Sequence, residues 1–175
     1  MFLTMLFLTI LTLLARATSQ PLEDLSSSAP SAIGTIGIEN HMGATVYFWS
    51  VDDKQGPMRT IEAGRSYVEE YRLRPNGGGI SIKLAMSPDI TNIIQFEYTR
   101  LGDKVWWDVS CVDTKPGSPF YAKGIKLDSA TPQCPHNFVC APGDERCPFV
   151  YHVWNDDHAT HGCPVDSFLH LTLGV

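Results

Sequence analysis

The stretch Gln95 to Asp113, Q-F-E-Y-T-R-L-G-D-K-V-W-W-D-V-S-C-V-D, decides the fold. Leu101-Gly102-Asp103-Lys104 suits a two-residue hairpin turn centred on Gly102 and Asp103. That turn pairs Leu101 with Lys104, Thr99 with Trp106, Tyr98 with Trp107 and Glu97 with Asp108. Alternation along each strand then sorts the side chains. Phe96, Tyr98, Trp107, Val109 and Cys111 form an apolar, core-facing side, and Glu97, Thr99, Trp106 and Asp108 share the other.

Working outward, the same signature repeats. I-G-T-I-G-I, T-V-Y-F-W-S-V, S-Y-V-E-E-Y-R-L, G-I-S-I-K-L-A and F-L-H-L-T-L are runs rich in β-branched and aromatic residues. They are separated by Gly, Pro, Asn and Asp clusters, and no long amphipathic helix interrupts them. This pattern predicts an all-β fold, an antiparallel β-sandwich. Four of the five cysteines fall after Asp128. The chain from there to Gly162 reads as an irregular, disulfide-bonded excursion that returns to the sheet at F-L-H-L-T-L.

The opposed acids raise the functional question. Like charges facing each other weaken a strand pair by up to about 1 kcal/mol. Such a pair holds protons more tightly than isolated carboxyls, which is how acid and base roles are separated in carbohydrate chemistry. The alternative is that both are fully solvated with a Lys or Arg between them. Asp113 lies five residues beyond Asp108, so in a continuous strand it points to the opposite face. It joins the other two acids only if the strand ends or bulges near Cys111, as T-K-P-G-S-P directly afterwards suggests.

The N-terminal run Phe2 to Ala15, followed by Ala15-Arg16-Ala17, is the pattern of a secretory signal, residues 1–17, cut after Ala17 or after Ser19. It is shorter than the roughly 20 residues that span a bilayer. Residues 18–32, with Ser26-Ser27-Ser28, read as a flexible leader, and 33–175 as the folded domain. Cleavage at Ala17 leaves 12 basic against 19 acidic residues, a formal charge of −7. That balance argues against nucleic acid and anionic membrane as partners. A secreted chain with five cysteines is expected to carry disulfides and one odd thiol.

Other motifs carry less. Gly77-Gly78-Gly79 lacks the following Lys-Ser/Thr of a phosphate cradle and reads as a turn. His152, Asp156, Asp157, His158 and His161 cluster in sequence without metal-ligand spacing, so neither metal nor cofactor is expected. Trp106, Tyr151 and Trp154 are aromatics that could stack on sugar rings or serve ordinary packing.

The motifs I-I-Q-F-E-Y, W-W-D-V-S-C-V-D and Cys134-x5-Cys140-x6-Cys147 together resemble thaumatin-like proteins. V-Y-F-W-S-V, G-P-M-R-T-I-E-A-G-R-S-Y, G-G-G-I-S-I-K-L and A-T-H-G-C-P-V-D narrow the likeness to the small fungal antigenic or yeast-phase-specific members, from Ile36 to the C-terminus. The resemblance implies a thaumatin-type β-sandwich and an acidic cleft associated with β-1,3-glucan binding and weak glucanase activity. By motif the cleft acids fall on Glu97, Asp108 and Asp113, with Trp106 and Thr99 beside them. The usual accompanying arginine has no match by motif, which favours binding over catalysis. The resemblance also implies Cys134–Cys163 and Cys140–Cys147 disulfides with Cys111 free. Relatives carry a cysteine pair where this chain has Met42 and Gly174. The expected protein is secreted or wall-associated, and monomeric. It acts on cell-wall polysaccharide or, alternatively, on a host protein by contact; the third reading is a weak endo-β-1,3-glucanase.

Overall fold

The computed structural model describes residues 32–175. The signal segment and the leader up to residue 31 lie outside these residues. Among the described residues eleven strands are found: β1 (Thr35–Asn40), β2 (Val46–Val51), β3 (Arg59–Ile61), β4 (Ser66–Glu70), β5 (Ile80–Ala85), β6 (Ile93–Leu101), β7 (Lys104–Ser110), β8 (Ile125–Ser129), β9 (Phe138–Cys140), β10 (His161–Pro164) and β11 (Phe168–Leu173). One helical turn, α1 (Pro119–Lys123), precedes β8.

The strands form two sheets, β4-β1-β11-β8-β9 and β10-β7-β6-β5-β2-β3. Pairing among the named strands is antiparallel except for β1 with β11, the first and last, which run side by side in the same direction. The inward residues of both sheets make one core, with Ile36, Ile38, Phe48, Ile82, Phe96, Tyr98, Trp107, Leu169 and Leu171 all buried. Burying side chains of this size stabilises the fold by about 1.5–3 kcal/mol each, which is what holds the disulfide-free N-terminal half together.

The β6–β7 hairpin adopts the register its turn requires: Tyr98 opposes Trp107 and Glu97 opposes Asp108. Gly102 takes φ 61°, the left-handed conformation the turn needs. The excursion after Asp128 contains more regular structure than its composition suggests. β9 adds to the edge of one sheet beside β8, and β10 adds to the other beside β7. Both are too short to show a period of their own; pairing with an existing strand edge creates them. Cys134 is bonded to Cys163 and Cys140 to Cys147, and Cys111 is a buried free thiol. Trp107 donates its indole N–H to Cys163 Sγ at 3.2 Å, tying the first disulfide to the hairpin. Met42 and Gly174 are neighbours: a Cβ on Gly174 would stand 2.8 Å from His41 O and 3.3 Å from Met42 N.

Candidate functional site

The outward face of the six-stranded sheet is built in rows. One row runs Val51, Ser81, Glu97, Asp108 across β2, β5, β6 and β7; the next runs Trp49, Lys83, Gln95, Ser110. A third places Thr99 beside Trp106 and Trp106 beside Gly162. Neighbours within a row have Cβ atoms about 4.5–5.5 Å apart, so the acid pair lies in the floor of the face.

Asp113 reaches the same face because β7 stops at Ser110. A turn closed by Thr114 N–H donating to Cys111 O (3.0 Å) follows, and Thr114 Oγ1 fastens it to Ile93 O at 2.6 Å. Gln95, only 5 % exposed, is the hub there. Its amide donates to Asp113 Oδ2 at 3.2 Å, while its carbonyl oxygen accepts from Lys83 Nζ at 2.8 Å and Ser81 Oγ at 3.1 Å. Tyr151 is brought alongside by backbone pairing with the end of β7, donating to Val109 O and accepting from Cys111 N–H. Its hydroxyl shares a 2.5 Å hydrogen bond with Thr160 Oγ1.

The electrostatics separate the acids. Burial, aided by the negative charge of Glu97, pushes Asp108 up from 3.8 to about 7. Its Oδ1 is buried with no hydrogen-bond partner among the described residues. Burial also raises Glu97; Ser81 and Lys83 draw it back and Asp113 adds to the rise. Asp108 therefore holds its proton near neutrality beside a carboxyl with a cation close by. The full-solvation alternative does not fit Asp108, and Asp108 rather than Glu97 is the better proton donor of the pair.

Two hollows meet at this pair. One, of about 380 Å³, is lined by Asp52, Ser81, Glu97, Thr99, Trp106, Asp108 and Thr160. The other, of about 330 Å³, is lined by Gln95, Glu97, Asp108, Asp113, Tyr151 and Trp154. Each ends in an exposed indole: Trp106 is 43 % exposed and Trp154 84 %. Trp106 lies flat against Gly162, where any Cβ would come within 2.8 Å of the ring, and Lys104 Nζ stands 5.7 Å from the Trp106 ring centre. Residues that the motifs did not single out, Gln95, Lys83, Ser81 and Asp52, thus complete the site. The alternation of S-I-K-L on β5 was the available signal, since it puts Ser81 and Lys83 on the same face as Glu97.

The histidines and acids near residues 152–161 serve the loop. Asp156 accepts the backbone N–H groups of His152 (2.7 Å) and Val153 (3.0 Å), while His161 stacks on His136 and packs at a tilt against Trp107. Among the described residues, no group of three or more His, Cys, Asp or Glu could hold a metal ion.

The family model of the Blastomyces yeast-phase-specific protein matches residues 25–175. The chain belongs to that family. It is 37% identical over 171 residues, 98% of this chain and 99% of the relative, to the secreted thaumatin-like protein calA of Emericella nidulans. It is 40% identical over 158 residues, 87% of this chain and 79% of the relative, to the antigenic thaumatin-like protein of Arthroderma benhamiae. Among solved structures, the protein elicitor MoHrip2 of Magnaporthe oryzae shares the fold with a TM-score of 0.64 at 24% identity, over 81% of this chain and 99% of that one. The chain is thus a secreted thaumatin-like protein, a disulfide-bonded β-sandwich.

Proposed function

We propose that this thaumatin-like protein binds cell-wall polysaccharide of the β-glucan type along the face centred on Glu97, Asp108 and Asp113. The observation that carries the reading is the pair of adjoining hollows that share Glu97 and Asp108 and end in Trp106 and Trp154. Polar groups in the floor suit sugar hydroxyls, and exposed indoles suit the apolar faces of pyranose rings. A protonated Asp108 donates one hydrogen bond and accepts another, the versatility that a hydroxyl-rich ligand uses.

Binding is favoured over hydrolysis because no arginine lines either hollow, the group that usually accompanies these acids in the larger family members. Contact with a host protein is the competing reading, resting on Phe149, Val153 and Trp154, which are exposed together on one loop.

The test is retention on insoluble β-1,3-glucan and on chitin by wild type, Trp106→Ala, Trp154→Ala and Glu97→Gln/Asp108→Asn. We expect glucan retention to fall in all three variants, since removing one stacked aromatic costs about 0.5–1.5 kcal/mol beyond area burial. Equal retention of all four proteins sinks the polysaccharide reading and leaves protein contact in front. Release of soluble oligosaccharide by wild type, lost in Asp108→Asn, would instead establish the glucanase.

A further inference from the structure

Beyond Asp52 a third hollow, of about 380 Å³, opens between the β2–β3 loop and the segment that follows β4. Its lining includes Asp52, Lys54, Arg59, Tyr67, Glu69 and Arg72. On a chain of formal charge −6 this hollow gathers three cations against two acids.

Both acids are already committed. Glu69 accepts the hydroxyls of Tyr67 at 2.7 Å and Tyr98 at 2.6 Å and pairs with Arg72 Nε at 3.4 Å. Asp52 accepts the Lys54 backbone N–H at 3.0 Å and pairs with Arg72 Nη1 at 3.2 Å. Arg72 further donates to Ser50 Oγ at 2.6 Å, so its guanidinium is satisfied on several edges. The neighbouring Asp53 is taken by Arg74.

Arg59 and the Lys54 ammonium have no acid partner among the described residues. Arg59 is nevertheless held in place. Its guanidinium carbon stands 5.2 Å from the Phe48 ring centre and 4.8 Å from that of Tyr67, and those two rings pack at 4.3 Å. A guanidinium laid on two rings has already lost much of its rotamer freedom and keeps its N–H fork for a planar oxyanion. The tyrosine beneath stays neutral, because burial first and then its bond to Glu69 push it up to about 12.

We propose that this hollow is an oxyanion subsite that takes the carboxylate of a uronic acid residue in an acidic polysaccharide, with Arg59 as the bidentate partner and Lys54 as the second cation. Asp52 lines both this hollow, which opens at the edge of the sandwich between β3 and β4, and the one at Trp106, so the two adjoin there. The overall negative charge repels polyanions at long range, so recognition here depends on local contacts. The subsite does not depend on whether the acidic floor binds neutral glucan.

The test is calorimetric titration of trigalacturonate and of a neutral β-1,3-linked glucose trimer, in 0.15 M salt, into wild type, Arg59→Gln, Arg59→Lys and Lys123→Gln. Arg59 is exposed on an edge strand, so these variants should fold, as thermal melts would verify. We expect trigalacturonate to bind wild type, to weaken roughly tenfold or more in Arg59→Gln and several-fold in Arg59→Lys, and to bind Lys123→Gln as it does wild type. Affinity for the neutral trimer should be the same in all four. The proposal falls if trigalacturonate does not bind wild type, if Arg59→Gln binds it equally, or if Lys123→Gln loses as much. It falls too if acetate at matched concentration displaces trigalacturonate, since that marks a general anion sink. In each case the neutral trimer still reports independently on the acidic groove.

Discussion

Replacing Asp108 by Asn should make the protein more stable at pH 8 and leave it unchanged at pH 4. In the folded chain burial, then Glu97, push Asp108 from 3.8 to about 7. A carboxyl with a raised folded value keeps its proton in the native state while the unfolded chain releases it. Its contribution is therefore fully present below pH 4 and is lost as pH rises towards 7. About three pH units at 1.36 kcal/mol each set a ceiling of about 4 kcal/mol, and partial exposure to water lowers that to about 2–3 kcal/mol. Asn cannot ionise and can donate an amide hydrogen towards Glu97, so it escapes the penalty. For a domain of this size each kcal/mol corresponds to about 2–4 °C. The variant should then melt about 4–12 °C above wild type at pH 8 and within about 2 °C of it at pH 4. Thermal or urea unfolding of both proteins at pH 4, 6 and 8 measures this directly. A difference that stays flat across the range, or a variant less stable at pH 8, would refute the argument that Asp108 is held against its charge by burial.

Three further outcomes follow from other parts of the fold. Replacing Cys134 and Cys163 together by Ala opens a bridge of sequence separation 29 and should cost about 3–4 kcal/mol, read from the urea midpoint. Asn40 is fully buried and donates to Ala44 O and Ile61 O while accepting from Met42 N–H. Asn40→Ala orphans these groups, so it should cost about 2–4 kcal/mol in the same assay. Gly162→Ala drives a methyl into the Trp106 ring; it should displace the indole, shift tryptophan emission and weaken glucan retention while costing only about 1 kcal/mol of stability.

Much of this arrangement was written locally. The turn residues Gly102 and Asp103 set the β6–β7 register, and a period of two then placed Glu97 and Asp108 on one face without tertiary information. β8 carried the same signal, since I-K-L buries Ile125 and Leu127 and leaves Lys126 half-buried, but it was not among the runs singled out. β3, β9 and β10, at three, three and four residues, were not legible. A strand that short exists because a partner edge offers hydrogen bonds, and the partner is dozens of residues away. The parallel β1–β11 pair is hidden for the same reason, since it joins the two ends of the described chain.

The site shows the same division more sharply. Residue types and spacing named three acids, but a carboxyl's protonation is set by what covers it. Nothing in W-W-D-V says that burial lifts Asp108 to about 7. That depends on the folded surroundings, among them Tyr151, more than forty positions along the chain, which lines the hollow beside Asp108. Burial raises both acids, but Ser81 and Lys83 draw Glu97 back while Asp108 has only the neighbouring Glu97 charge, which raises it further. The consequence is an asymmetric pair: Asp108 keeps its proton near neutral pH, and Glu97 has a counter-charge at hand. An asymmetric pair can donate and accept hydrogen bonds at one spot on a hydroxyl-rich ligand, which two fully solvated carboxylates cannot do. The pH dependence of Asp108→Asn therefore tests the chemical premise of the binding face as well as the stability argument.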